Sequence, residues 1–328
     1  MLNHGLFTLV VLPNQLKKEN IKRHMNMLRS WVMRFEKDQL SMPWIESPFF
    51  YSLLDEVNLS QEEKELCLKY HENGYVEIDL KLSDEEIDNI ISDMYKFSDL
   101  PETIYQSDHY QYTPSKRIFE LWKQSKSVAK LCVNKKILDT LELFYRKKPF
   151  PFSTINFFKG SNQPLHSDII HFHTIPQLWM VGVWIALEDV NEANGSLKII
   201  PKSHKWGIYD YDSLNLSHPD KIQNGEEVNY GIYEEFIQTM VEEKNAESYI
   251  ANISKGTALI WSSNLLHGGC NVKGVTDLEK TRLTQAIHYF FEGCDKYYHP
   301  MFSKKYGGKY AEKWCNENRN IQTYLESK

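Results

Sequence analysis

The run Leu178-Trp-Met-Val-Gly-Val-Trp-Ile-Ala-Leu187 decides how this chain folds. It is almost continuously apolar, too short to span a membrane, and rich in β-branched and aromatic side chains. It therefore predicts a strand covered on both faces. Residues 152–158, 197–200, 257–261 and 283–291 share its texture and are bounded by turn residues. Asn194-Gly195 predicts a hairpin turn between two such runs. Toward the amino terminus the texture becomes helical. Tyr75-Val-Glu-Ile-Asp-Leu80 alternates as a strand after Gly74, and Ser83 with Glu86 predicts a capped helix carrying Ile87, Ile90, Ile91 and Met94. A further helix is expected over 136–146. Strands that close after a helical first half predict an α+β chain on a jelly-roll or cupin-like double sheet.

The ends read differently from this middle. Ile21, Met25, Leu28, Val32 and Phe35 recur at three- and four-residue spacing among Lys18, Lys22, Arg23, Arg29, Arg34 and Lys37. That pattern suits a surface helix packed on the main body, or an amphipathic helix on a membrane or partner. The organisation expected is a helical extension over 1–66, a main domain over 67–295 and a tail over 296–328 packed on the core. The acidic stretch 209–249, with Glu226, Glu227, Glu234, Glu235, Glu242 and Glu243, reads as a loop-and-helix insertion in that domain.

Composition narrows the class. A 41% hydrophobic and 25% charged chain of 328 residues is globular rather than disordered. Its net charge of −6 disfavours a phosphate-dominated nucleic-acid binder, so no nucleic-acid partner is expected. The five cysteines are scattered without a CxxC pair, which argues against a disulfide framework and for a reducing, cytoplasmic setting. The apolar run 6–12 is short and meets Pro13, unlike a secretory signal, and no stretch is long enough for a transmembrane helix. The sequence sets no oligomeric state.

The chemistry concentrates in Pro164-Leu-His-Ser-Asp-Ile-Ile-His-Phe-His173. If 165–169 is extended, His166 and Asp168 point to one face with Cα atoms about 6–7 Å apart, close enough to share a metal. The best third ligand is His267 in Trp261-Ser-Ser-Asn-Leu-Leu-His-Gly-Gly-Cys270, expected at the end of a later strand. Two histidines and one carboxylate leave three positions open, which suits non-haem Fe(II). Alone, a His-x-Asp pair is more often a solvated surface pair. His171 and His173 can replace a ligand in a zinc-dependent hydrolase, which would lack an obvious general base. Arg282, Thr284, Ala286 and His288 share one face of a strand, where guanidinium and hydroxyl suit a dicarboxylic acid; the bland reading of Arg282 is a structural ion pair. Cys270 reads as a buried, inert thiol, and His204 as either a loop-fixing or a substrate-contacting residue. Trp179, Trp184, Trp206 and Trp261 read as β-core residues or an aromatic platform.

Taken in order, His166-Ser-Asp168, Trp184, Asn194-Gly195-Ser196-Leu197, Pro201-Lys-Ser-His204-Lys205, His267 and Arg282 resemble the phytanoyl-CoA dioxygenase family, as does Gly74-Tyr75-Val76 before a helix. The likeness covers roughly residues 68 to 292. It implies an Fe(II)- and 2-oxoglutarate-dependent dioxygenase on a double-stranded β-helix core with flanking helices and an N-terminal helical extension. It makes His166, Asp168 and His267 the catalytic iron ligands. Arg282 with Thr284 would hold the distal carboxylate of 2-oxoglutarate, Trp184 would contact that cosubstrate, and Arg117 or Lys116 would lie near the site. Two positions depart from the family pattern: Gly269, where relatives can carry a hydroxyl, and Lys202, where many have glycine. The resemblance implies consumption of O₂, hydroxylation of an unactivated C–H in a small-molecule or carrier-linked metabolite, and release of succinate and CO₂. Halogenating relatives lack the carboxylate, so Asp168 points to hydroxylation. A non-catalytic ligand-binding protein on the same fold is the alternative, and the intact ligand set argues against it. The 209–249 insertion is expected to form part of a lid.

Overall fold

A strand apolar on both faces needs a layer on each side of its sheet, and the structure, a computed structural model, supplies both. Residues 41–98, 117–216, 228–271, 276–277, 280–294 and 296–298 are described. The basic helical pattern around Ile21 to Phe35, Lys116, residues 217–227 of the insertion and most of the tail lie outside them.

Helices α1 (Phe50–Glu56) and α2 (Gln61–Asn73) come first. Ser60 and Glu63 form a capping box on α2, and Gly74 closes it in the left-handed conformation at φ 83°, which only glycine adopts without strain. Strand β1 (Tyr75–Asp79) follows at once, then α3 (Asp84–Lys96), where Ser83 and Glu86 form the expected capping box. Next come β2 (Arg117–Phe119), α4 (Lys126–Cys132), α5 (Lys135–Tyr145) and β3 (Pro149–Phe157). The second half holds β4 (His173–Ile175), β5 (Met180–Ala186), β6 (Leu197–Ile199), α6 (Val228–Glu243), β7 (Tyr249–Ile250), β8 (Thr257–Ser262), β9 (His267–Gly269), β10 (Thr284–Phe291) and β11 (Lys296–Tyr298). The boundary expected between 66 and 67 falls inside α2, whose Cys67 and Tyr70 are buried in the main core.

Six strands form one antiparallel sheet in the order β1-β8-β5-β10-β3-β2, three form a second as β7-β6-β9, and β4 pairs with β11. The outer face of the large sheet carries Val181, Val183, Ile185, Ala258, Ile260 and Ile287, packed against Tyr70, Ile87, Ile90, Leu141 and Phe144 of the helices. Its inner face carries Phe157, Trp184, Ala186, Leu259, Trp261 and Ala286, packed against Leu197 and Ile199 of the small sheet. β5 is buried at every position, as its unbroken apolar run requires. The chain is thus α+β on a double-stranded β-helix core.

Three local expectations change. Asn194-Gly195 is not a hairpin turn: β5 pairs with β8 and β10, whereas β6 pairs with β7 and β9, so the turn carries the chain from one sheet to the other. Residues 165–169 do not form one extended strand, because Asp168 opens a 3₁₀ turn, Asp168–Ile170. His267 does not end β8 but opens β9 after a turn. Each difference has the same cause: the chain crosses between two sheets, and backbone groups that leave one ladder must find partners in a turn or in the other.

Candidate metal centre

His166 and His267 face each other across a two-bond β-bridge, each donating its N–H to the other's carbonyl at 2.9 Å. That bridge extends the small sheet and brings residues a hundred positions apart side by side. The turn at Ser167 and Asp168 then swings the carboxylate back toward both rings. Side-chain donor atoms of His166, Asp168 and His267 all lie within 4.8 Å of one another, and all three residues are buried. Among the described residues this is the one His/Cys/Asp/Glu cluster with metal-ligand spacing.

Each ring is oriented by its own backbone. His166 Nδ1 lies 2.9 Å from Pro164 O, and His267 Nδ1 lies 3.0 Å from Leu265 O. A carbonyl only accepts, so both Nδ1 atoms carry the proton and both Nε2 lone pairs face the cluster. Burial first, then the neighbouring His267, lowers the His166 pKa to about 4, so its imidazole is neutral at pH 7, the form that binds metal. Burial alone would raise the Asp168 carboxyl. The surrounding His267, His288 and His166, with a hydrogen bond from Trp261 Nε1 at 2.7 Å, outweigh it and hold the carboxyl below its usual range. Two imidazole donors and one carboxylate match the donor set of a non-haem iron site.

The segments bearing these side chains are pinned from outside. Ser203 Oγ accepts from the Leu266 N–H at 2.8 Å, and Asn264 Nδ2 donates to the carbonyls of His204 and Trp206. The Pro-Lys-Ser-His stretch therefore grips the turn leading to His267. His204 itself donates from Nε2 to His71 O at 2.9 Å, a loop-fixing role. From α6, Tyr233 accepts the N–H of Ser167, between two of the cluster residues, at 3.1 Å. His171 lies 3.2 Å from Tyr230 OH, and neither it nor His173 joins the cluster.

A second polar group sits around the start of β10, with Arg282 two residues before Thr284. Arg282 is 1% exposed, donates to Gly195 O and Lys159 O, and lies over the rings of Phe157 and Trp184. Its Nε, together with Thr284 Oγ1 and Trp184 Nε1, is buried without a hydrogen-bond partner. Unpaired buried donors are costly, and three near one another fit an anionic ligand such as a carboxylate. Burial, reinforced by Arg117, lowers the Arg282 pKa to about 9. Arg117 and Thr284 are both register partners of Phe157, so all three share the inner face. Gly269 has no room for the hydroxyl of relatives: a Cβ there would meet Asn162 and Gln163 backbone within 2.8 Å. Cys270 is buried, and burial raises its pKa, as an inert thiol requires.

Three residues beside the cluster were not singled out from the sequence as part of the site. Trp261 was indistinguishable from a core aromatic, and Tyr233 lay in an acidic helix with no signal pointing inward. His288 was legible as sharing the Arg282 face, and its Nε2 lies 3.9 Å from Asp168 Oδ2.

The family model described as Phytanoyl-CoA dioxygenase (PhyH) matches residues 70–274. The human protein named phytanoyl-CoA dioxygenase, peroxisomal, is 23% identical over 263 residues, covering 75% of this chain and 72% of that protein. A protein of Stutzerimonas stutzeri named probable alpha-ketoglutarate-dependent hypophosphite dioxygenase is 29% identical over 160 residues, covering 44% of this chain and 55% of the relative. The crystal structure of the epimerase SnoN with Fe3+, alpha ketoglutarate and nogalamycin RO shares the fold, with a TM-score of 0.54 at 15% identity over 76% of this chain and 92% of that one. The matched span contains both the bridge that joins the two histidines and the turn that returns the carboxylate, and the chain belongs to the phytanoyl-CoA dioxygenase family, as an Fe(II)- and 2-oxoglutarate-dependent dioxygenase.

Proposed function

We propose that His166, Asp168 and His267 hold the iron, and that Arg282, Thr284 and Trp184 bind 2-oxoglutarate, with Arg117 adding positive charge nearby. The observation that carries this reading is the meeting of three donor atoms within 4.8 Å, beside a separate group of buried, unpartnered donors on the same inner face. Iron bound there supplies O₂ activation, coupled to decarboxylation of 2-oxoglutarate to succinate and CO₂. The chain's own residues do the rest. Arg282 and Thr284 anchor the distal carboxylate, the two sheets exclude water, and the aromatic wall of Phe152, Phe172 and Phe290 beside His288 shapes the space next to Asp168.

The reaction proposed is hydroxylation of an unactivated C–H in a small-molecule or carrier-linked metabolite, with Asp168 as the retained carboxylate ligand. One relative is named for phytanoyl-CoA and another for hypophosphite, so substrate choice within the family is wide. A cytoplasmic address belongs to this reading. It is supported by the buried, unbridged thiols of Cys67, Cys132 and Cys270.

The test is anaerobic titration of Fe(II) and 2-oxoglutarate, followed by visible absorption. Wild type should develop a weak charge-transfer band that His267→Ala lacks. A wild type that binds neither would overturn the site assignment.

A further inference from the structure

The two oxygens of Asp168 live in different surroundings. Oδ1 lies 3.6 Å from His267 Nε2, toward the cluster, while Oδ2 accepts from Trp261 Nε1 at 2.7 Å. His288 Nε2 stands off at 3.9 Å, so among the described residues the indole is the donor within hydrogen-bond range of Oδ2. The Trp261 ring also packs on the His267 ring, with centroids 4.7 Å apart. One side chain thus touches two of the three proposed ligands.

That indole has a seat built for it. Gly182 on β5 is the register partner of Trp261 on β8, and a Cβ at position 182 would fall within 2.6 Å of three indole atoms. Real Cβ atoms do not approach ring atoms so closely, so any larger residue would push the ring off its place.

We infer that Trp261 is a positioning residue for the metal centre: its N–H holds Asp168 Oδ2, so that the carboxylate offers Oδ1 alone to the metal, and Gly182 leaves the space this requires. The inference rests on the reading of Asp168 as a ligand. A carboxylate free to turn can chelate a metal with both oxygens. In a site of two histidines and one carboxylate, that second bond would occupy a position needed by 2-oxoglutarate or O₂. The indole hydrogen bond prevents it. It also leaves Oδ2 paired in a buried site.

The experiment uses Co(II), which reports coordination by visible absorption and does not activate O₂, on metal-free full-length protein. Trp261→Phe keeps an aromatic ring but removes the donor together with part of the indole's bulk, so the donor's share is read by comparing its effect in two backgrounds. With the carboxylate no longer held ready, Co(II) binding should weaken about 10- to 100-fold, the range typical for loss of a group that orients a ligand, even where a second carboxylate bond forms, and that second bond should shift the cobalt bands. Asp168→Ala should weaken binding at least as much, and adding Trp261→Phe to it should cost nothing further, because the indole acts through the carboxylate. Gly182→Ala should reproduce the Trp261→Phe loss. If Asp168→Ala weakens binding but Trp261→Phe does not, or if Trp261→Phe costs the same in both backgrounds, the indole is only a core aromatic and the inference fails. If Asp168→Ala leaves Co(II) binding intact, the ligand reading itself falls and takes the inference with it.

Discussion

Thr284 shows how a single residue can carry function without supporting the fold. Its hydroxyl is buried and has no hydrogen-bond partner. Thr284→Val removes that group at nearly constant shape, so the folded protein should lose little stability and may be compared directly with wild type by thermal melting. A hydrogen bond to a charged group is worth about 1.5–3 kcal/mol, so 2-oxoglutarate binding should weaken about 10- to 100-fold, measured anaerobically by calorimetry in the presence of Fe(II). An unchanged affinity would remove Thr284 from the cosubstrate site. Arg282→Lys should lose more, since it surrenders the planar fork that pairs with a carboxylate at two points. The identities of Arg282 and Thr284 and their common face were legible from strand alternation. Their isolation from other partners was not, because that depends on what every neighbouring strand brings near them.

At the scale of the element, α6 acts on the centre through one hydroxyl. Tyr230, Tyr233 and Ile237 bury against Leu165, Ile170 and Leu266, which flank the proposed ligands. Tyr233→Phe leaves this packing intact but strands the buried N–H of Ser167. The cost should be about 1–3 kcal/mol, with faster hydrogen exchange over residues 165–172 and weaker metal binding. Destabilisation without faster exchange in that segment would mean that the hydroxyl does not hold the turn. Deleting the insertion is the poorer experiment for a lid, because it removes this anchor and should depress substrate turnover and uncoupled decarboxylation together. The helix itself was legible as part of an acidic loop-and-helix insertion over 209–249. Its inward reach was not, since a tyrosine on a helix shows in sequence only that one face is apolar.

For the whole molecule, buried titratable groups set the response to acid. Burial lowers His166 and His204 to about 4, and lowers His71 and His288 as well, whereas it raises Glu46 to about 7. A histidine held neutral binds its proton more readily when unfolded. Its stabilisation is therefore present above 6.5 and is lost as pH falls toward the folded value. Glu46 acts in the opposite sense, stabilising below 4.5 and losing that contribution as pH rises through 7. The histidines outnumber it. Metal-free protein should lose on the order of 1 kcal/mol per pH unit between about pH 6.5 and 4.5, read from urea midpoints. Stability that rises on acidification through this range would contradict the burial of these rings.

What the sequence by itself determined is everything written in short-range spacing. That includes the capping box at Ser83, a strand buried on both faces within 178–187, the candidate donors His166, Asp168 and His267, and the shared face of Arg282 and Thr284. These are set by periods of two and 3.6 residues and by local capping. Only the tertiary structure decided that His166 and Asp168 converge through a turn rather than along a strand, that Trp261 reaches Asp168 across 93 positions, that Tyr233 reaches Ser167 across 66, and that Gly182 makes room for the indole. Such contacts arise when two sheets close on each other. Which side chains then meet depends on register and crossing geometry summed over many strands, and no local period encodes that sum.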